Sequence, residues 1–239
     1  MKRVDQPEWM EEPGVTIQEM TRVLNDLRRV NTLFGGVGPI LREIWPRARR
    51  LSGPVRVIDI ACGDGHVLRR LIDRARGAGI DLEATALDVN PIVLEVAAVA
   101  CRDYPEITLQ QGDALALPFP DGGFDFAVSC LALHHFGIEN APLALREMRR
   151  VVRCGFVVND LRRSRIAYAV TAAALTLLQT DRITRHDGPI SILRAYGPQE
   201  YHEIIERSGI PGIRYGERLW FRSLLTWRAK EREEHDSGA

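Results

Sequence analysis

The chain has 239 residues, of which 45% are hydrophobic and 27% charged, and its 32 Lys and Arg balance 32 Asp and Glu. This size and composition predict one globular domain with a sizeable core and room for a small addition. The absence of a basic excess excludes a chain dominated by a nucleic-acid surface, so no nucleic-acid partner is expected. Four cysteines have no C-x-x-C spacing, which indicates reduced thiols and predicts no metal site.

The amino-terminal region is polar and acidic and shows no signal peptide. The longest apolar stretch, residues 166–178, is shorter than the roughly 20 residues that a membrane-spanning helix needs. These features predict a cytoplasmic protein without a membrane span.

The first 50 residues are predicted to form a helical lid. Residues 1–14 contain Pro7, Pro13 and Gly14 and are expected to be mobile. Thr16, with Glu19 three residues later, forms a capping-box pattern that predicts a helix start. A second short helix is predicted from Pro39 to about Ala48.

Residues 57–65 read Val-Ile-Asp-Ile-Ala-Cys-Gly-Asp-Gly, an apolar run followed by the pattern D-x-A-x-G-x-G. Small residues at a strand-to-helix turn let the backbone approach a ligand, and the following helix offers free N–H groups. The turn therefore predicts a nucleotide-like cofactor site. A dinucleotide loop would need a third small residue, where Leu68 stands instead.

Two further acids follow the next predicted strands. Asp88 ends an apolar run at the spacing where a carboxylate can accept from both ribose hydroxyls. Asp113 follows the next run and could accept from an adenine amino group. A fourth apolar run, residues 124–130, predicts another buried strand.

The four blocks together resemble the class I S-adenosylmethionine-dependent methyltransferases. The matching motifs are Asp59-Ile60-Ala61-Cys62-Gly63-Asp64-Gly65, Leu87-Asp88-Val89-Asn90, Gln111-Gly112-Asp113-Ala114 and Phe124-Asp125-Phe126 through Leu133-His134-His135-Phe136. Many members carry Gly at position 61. The resemblance implies S-adenosylmethionine as cofactor, S-adenosylhomocysteine as product, and a cofactor site formed by Asp59, Ala61, Cys62, Gly63, Gly65, Asp88, Val89, Asp113, Ala114 and Cys130.

The alternation of elements predicts an α/β fold, a doubly wound and mostly parallel seven-stranded sheet with helices on both faces. This Rossmann-like methyltransferase domain is expected over residues 51–230, followed by a charged tail, 231–239. The predicted elements are strands 55–60, 83–88, 107–111, 124–130 and 155–160, helices 65–76, 91–103, 140–151, 166–178 and 198–208, a loop 181–189, and a closing antiparallel hairpin, 212–217 and 219–226.

Three histidines are candidate catalytic residues. His134 and His135 follow the fourth predicted strand, where an imidazole could take the proton of a hydroxyl nucleophile. The alternative is that one of them only packs the loop. His186 lies in Arg-His-Asp-Gly-Pro, in a region that borders the substrate pocket in the family, although His-Asp-Gly is also typical of a structural turn.

The whole pattern also resembles a bacterial subgroup of methyltransferases associated with polyketide pathways. It implies O-methylation of a small hydroxylated aromatic or polyketide-like acceptor. Carbon or nitrogen methylation, or a cofactor-binding protein without catalysis, are the alternatives. The chain has Ser-Cys-Leu-Ala after the fourth strand instead of the Asn-Pro-Pro-Tyr type of tetrapeptide often used on nucleobases. The oligomeric state stays open.

Overall fold

The computed structural model describes residues 1–229 and contains a seven-stranded sheet in the order β3-β2-β1-β4-β5-β7-β6. The first five strands run parallel, and β7 is antiparallel to both β5 and β6. This confirms the predicted doubly wound, mostly parallel fold. The strands are β1 (Val55–Ile60), β2 (Leu82–Asp88), β3 (Ile107–Gln111), β4 (Phe124–Cys130), β5 (Val152–Leu161), β6 (Arg214–Arg218) and β7 (Arg222–Arg228).

Helices cover both faces of the sheet. They are α1 (Ile17–Leu33), α2 (Val37–Ala48), α3 (His66–Arg76), α4 (Pro91–Ala100), α5 (Gly137–Val151), α6 (Arg165–Leu177), α7 (Arg182–Arg194) and α8 (Pro198–Ser208). Neighbouring strand residues contribute to opposite cores: Val57 packs with α2 and α3, and Ile58 packs with α5 and α8. A strand buried on both faces explains the nearly continuous apolar run that precedes Asp59.

The strand order places a crevice at the carboxyl ends of β1 and β4. Strand β1 pairs with β2 on one side and with β4 on the other. The order in which successive strands are added to the sheet therefore reverses between β1 and β4. Ligands of open α/β sheets bind at such a switch point. No helix among residues 1–229 is long and apolar enough to cross a membrane.

The loop predicted over residues 181–189 is wrong, because helix α7 begins there. Asp181 caps this helix by accepting the N–H of Ile183 at 2.9 Å, and Pro189 lies inside it. A Gly-Pro pair usually ends a helix. Here Gly188 allows close packing on α6, since a Cβ at this position would lie 2.2 Å from a methyl group of Leu175.

The expectation of a mobile start, residues 1–14, is also wrong. A short 3-10 helix covers Trp9–Glu11. The main-chain N–H groups of Trp9 and Met10 donate to the two carboxylate oxygens of Asp187, at 2.8 and 3.0 Å. Glu8 is only 2% exposed. The segment is held by partners far away in the sequence, which local composition could not reveal.

Helix α1 begins with the predicted capping box. The side chain of Thr16 accepts the main-chain N–H of Glu19, and the side chain of Glu19 accepts the main-chain N–H of Thr16. The side chain of Met20 is fully buried and packs with Leu24 of the same helix and with Val93 and Val96 of α4. This contact attaches the predicted lid to the sheet domain. The predicted hairpin is confirmed as β6 and β7, and the predicted tail, 231–239, lies outside the described residues.

We expect Met20→Ala to lower the free energy of unfolding by about 2–5 kcal/mol, because it leaves a cavity between α1 and α4. Urea unfolding followed by circular dichroism measures the change. Ile17→Ala is the matched control on the same helix, since Ile17 is 47% exposed. Equal stability of the two variants would show that α1 does not pack on the domain.

Candidate active site

A cavity of about 530 Å³ lies at the carboxyl edge of β1 and β4. Its size is typical of a small-molecule site. The walls come from the turn after β1, helices α1, α6 and α7, the segment after β4, and the amino-terminal segment. The predicted lid therefore contributes directly to the site.

The turn after β1 has the compact backbone that its sequence predicts. Gly63 and Gly65 adopt φ values of 55° and 73°, in the left-handed region that favours glycine. A Cβ on Gly65 would lie 2.6 Å from the sulfur of Cys101. Ala61 also has a positive φ, 57°, at a strain cost of roughly 1–2 kcal/mol for a residue with a Cβ.

Asp59 is a buried carboxylate without a partner. It lines the cavity and is 1% exposed, and neither of its oxygens has a hydrogen bond within residues 1–229. Burial, with the nearby charges of Asp88 and Asp64, raises the pKa of Asp59 well above its usual value. A buried carboxylate of this kind needs a cation or a hydrogen-bond donor.

Asp88 ends β2 and faces the same cavity. Its oxygens accept the N–H groups of Asn90 at 3.0 Å and Gly63 at 3.4 Å. Burial raises its pKa, although these backbone hydrogen bonds oppose the shift. The carboxylate is thus fixed in place beside the glycine turn.

The structure brings most of the predicted cofactor residues together, and three lie apart. The predicted residues that line the cavity are Asp59, Ala61, Cys62, Gly63, Asp88, Val89 and Cys130. Gly65, Asp113 and Ala114 are not among its lining residues. The carboxylate of Asp113 accepts the N–H of Leu115 at 2.8 Å within its own turn, and Ala114 packs in the core.

His134 is held by Asp160 at the end of β5. Its Nδ1 lies 2.7 Å from one carboxylate oxygen, and its main-chain N–H donates to the other at 2.8 Å. Burial alone would raise the pKa of Asp160, but the charge and hydrogen bonds of His134 hold it below its usual value. The Nε2 of His134 has no hydrogen-bond partner in the described chain and lies 3.8 Å from a carboxylate oxygen of Glu8.

His135 lies beside His134, with ring centroids 4.2 Å apart. Its Nδ1 is 2.5 Å from a carboxylate oxygen of Glu11, which also binds Arg194. Burial would raise the pKa of Glu11, but the bonds to His135 and Arg194 outweigh it and lower the pKa to about 2. Both histidines line the cavity.

His186 does not line the cavity, although the sequence made it a catalytic candidate. Its ring stacks on Trp9 at a centroid distance of 3.6 Å, and its Nδ1 lies 2.7 Å from Asp187. Because Asp187 also accepts the two N–H groups of the amino-terminal segment, this part of α7 fastens that segment. The contacts of His186 are therefore with the amino-terminal segment and its anchor, Asp187.

Sequence reasoning missed four charged residues of the site: Glu8, Glu11, Asp160 and Arg222. Arg222 is 2% exposed, donates from Nη2 to Asn31 at 2.8 Å, and has an Nη1 without a partner in residues 1–229. Burial lowers its pKa. Asp160 could have been predicted as a site residue, because it is an acid near the end of a buried strand, as Asp59 and Asp88 are.

The family described as "Methyltransferase domain" matches residues 57–155. An uncharacterized methyltransferase of Mycobacterium tuberculosis is 31% identical over 182 residues, which cover 72% of this chain and 86% of that protein. The chain belongs to the class I S-adenosylmethionine-dependent methyltransferases. This methyltransferase is thus an enzyme whose cofactor is S-adenosylmethionine.

This methyltransferase is also similar to a demethylmenaquinone methyltransferase of Bacillus licheniformis, with 36% identity over 101 residues. That match covers 41% of this chain and only 40% of the relative. A solved S-adenosylmethionine-dependent methyltransferase of Aquifex aeolicus shares the fold, with a TM-score of 0.57 and 17% identity over 86% of this chain and 96% of that one.

The residues of this methyltransferase fit the cofactor. S-adenosylmethionine carries a sulfonium and an ammonium group, and the cavity of this chain holds a buried carboxylate, Asp59, without a partner. Asp88 offers a second carboxylate for ribose hydroxyls. Both line the cavity together with Gly63 of the glycine turn.

Proposed function

We propose that this methyltransferase transfers a methyl group to a hydroxyl oxygen of a small aromatic or polyketide-like acceptor. One observation carries the proposal: His134 lines the cofactor cavity, and its buried imidazole nitrogen Nε2 has no hydrogen-bond partner in the described chain. When Nδ1 donates to Asp160 in the neutral imidazole, Nε2 is the acceptor. A hydroxyl group satisfies that acceptor.

The cofactor would lie along the β1–β2 side of the cavity. Asp59 is positioned to bind its ammonium group, and Asp88 to accept from the ribose hydroxyls. Buried carboxylates bind such donors strongly because charge-assisted hydrogen bonds are strong where water is excluded. Asp113 and Ala114, at the end of β3, remain candidates for the adenine end.

The acceptor would lie on the other side, against the segment after β4. Apolar side chains from this segment, from the end of α1, from α6 and from the turn between β6 and β7 form a surface for a ring: Phe34, Leu131, Phe136, Val170, Trp220 and Phe221. An aromatic acceptor fits walls of this kind, and the histidine nitrogen fixes where its hydroxyl lies.

Held beside Asp59 and Asp88, the cofactor would supply an electrophilic methyl group on its sulfonium, and the leaving group would be the neutral thioether, which would keep the electron pair of the sulfur–carbon bond. His134 holds the hydroxyl and takes its proton at Nε2. Asp160 keeps the ring in orientation and stabilises the charge that it gains. Positioning by the walls accounts for much of the acceleration, because an in-line displacement depends on alignment.

We expect Asp88→Ala to weaken the binding of S-adenosylhomocysteine by roughly 1–3 kcal/mol, the loss typical of hydrogen bonds to a charged acceptor. Isothermal titration calorimetry measures the affinity. Asp103→Ala, at an exposed acid outside the cavity, is the control and should bind like the wild type. Equal affinities of both variants would remove Asp88 from the cofactor site.

A screen of acceptors tests the proposal. Phenols, polyketide pyrones, amines and activated carbon acids are each incubated with the enzyme and S-adenosylmethionine, and the release of S-adenosylhomocysteine is followed. We expect phenols or hydroxypyrones to be the best acceptors. Turnover confined to amines or carbon acids would instead support nitrogen or carbon methylation.

A further inference from the structure

Three side chains from two distant parts of the chain converge at the acceptor end of the cavity. They are Glu8 of the amino-terminal segment and His134 and His135 after β4, and one ligand atom of each lies within 4.8 Å of the others. Metal–ligand bonds of about 2.0–2.2 Å place neighbouring ligand atoms roughly 3–3.5 Å apart. The 3.8 Å between Nε2 of His134 and Glu8 is close to that spacing.

Both histidines are oriented through their Nδ1 atoms. Asp160 holds His134 at 2.7 Å and Glu11 holds His135 at 2.5 Å. Histidines that bind metals usually donate their other ring N–H to a carboxylate in this way, which fixes the tautomer and raises the basicity of the free nitrogen. The buried Nε2 of His134 has no partner within residues 1–229.

The charges around the three residues also favour a cation. The carboxylates of Glu8, Glu11 and Asp160 lie around the two imidazoles. Arg194 supplies one guanidinium, 2.6 Å from Glu11 and 3.7 Å from Glu8. Arg3 supplies a second, since its Nη2 donates to the carbonyl oxygen of His134 at 3.3 Å. Two positive groups against three carboxylates leave negative charge that a divalent cation would neutralise.

We propose that Glu8, His134 and His135 bind a divalent transition-metal cation, of which Zn²⁺ is the representative. Two imidazoles and one carboxylate suit Zn²⁺ or Fe²⁺, whereas Mg²⁺ prefers oxygen ligands alone. All three residues line the cavity, so a cation bound to them would be within reach of a ligand there. The sequence predicted no metal site, since its ligands are contributed by segments that lie far apart in the chain.

The catalytic consequence rests on the proposed function. A hydroxyl group that coordinates the cation loses its proton to water more readily, and the resulting oxygen anion is the stronger nucleophile. The cation then takes over the role that Nε2 of His134 has in its absence. Binding of the cation itself depends only on the geometry of the three residues.

The experiment uses the full chain, freed of metal by a chelator. ZnCl₂ is titrated by calorimetry, CoCl₂ is followed by its visible absorption, and MgCl₂ serves as the comparison. We expect one Zn²⁺ per chain and no heat from Mg²⁺. Glu8→Gln and His135→Ala should each weaken Zn²⁺ binding by about a hundredfold, since each removes a ligand. His202→Ala, at an exposed histidine of α8, should bind like the wild type.

Zn²⁺ binding that Glu8→Gln and His135→Ala leave unchanged would overturn the proposal, as would the absence of stoichiometric binding. The affinity of both variants for S-adenosylhomocysteine shows that they are folded. A bound cation without any O-methylated product would uphold the metal site and contradict the proposed function. O-methylated product from a chain that binds no Zn²⁺ would uphold the proposed function and overturn the metal site.

Discussion

Replacing His134 by Ala is expected to lower turnover by about a hundredfold or more, while the affinity for S-adenosylhomocysteine stays unchanged. The side chain lines the cavity, and its Nε2 has no hydrogen-bond partner within residues 1–229. Steady-state kinetics and calorimetry measure the two quantities. Both direct proton acceptance and metal binding by Nε2 require this effect.

Asp160→Asn provides the second variant, because it keeps the side-chain shape and removes the charge that orients His134. It should lower kcat more than it raises KM. His202→Ala is the matched control, with wild-type turnover expected. A loss below tenfold for His134→Ala would show that positioning by the cavity walls dominates and that the histidine only packs the segment after β4.

Removing residues 1–12 is expected to lower turnover by about a hundredfold with little change in cofactor affinity. The segment supplies Glu8 and Glu11 to the two histidines and closes that end of the cavity. Its loss admits water and releases His135. The capping box at Thr16 remains, so α1 still has its start.

Circular dichroism and calorimetry with S-adenosylhomocysteine verify that the shortened chain is folded. Glu12→Ala, at an exposed residue of the same segment, should have wild-type turnover. Asp187→Asn keeps the segment but weakens its two main-chain hydrogen bonds, so an intermediate loss is expected. Full activity of the shortened chain would contradict any role of the segment in the site.

The sheet and the cofactor turn could be predicted because their signals are local. The run ending at Asp59 and the small residues after it show a buried strand and a tight turn in nine consecutive positions. The position of Asp88 could be predicted in the same way, because it is the acid that ends the next apolar run. The structure places both carboxylates in one cavity, as the order of the motifs indicated.

The acceptor end could not be predicted in the same way. The hydrogen bond between Glu11 and His135 joins residues 124 positions apart, and the one between Trp9 and Asp187 joins residues 178 positions apart. Local composition suggested a mobile start because it could not show these partners. Helix α7 was missed for the related reason that packing on α6 overrides the Gly-Pro signal at Pro189.

The most direct test identifies the bond that the enzyme makes. S-adenosylmethionine with a ¹³C-labelled methyl group is supplied together with the best acceptor of the screen, and the product is examined by NMR. The proposed function predicts a labelled methyl group on oxygen, and about a hundredth or less of that product with His134→Ala at the same enzyme concentration and reaction time. A labelled methyl group found only on carbon or nitrogen would contradict it.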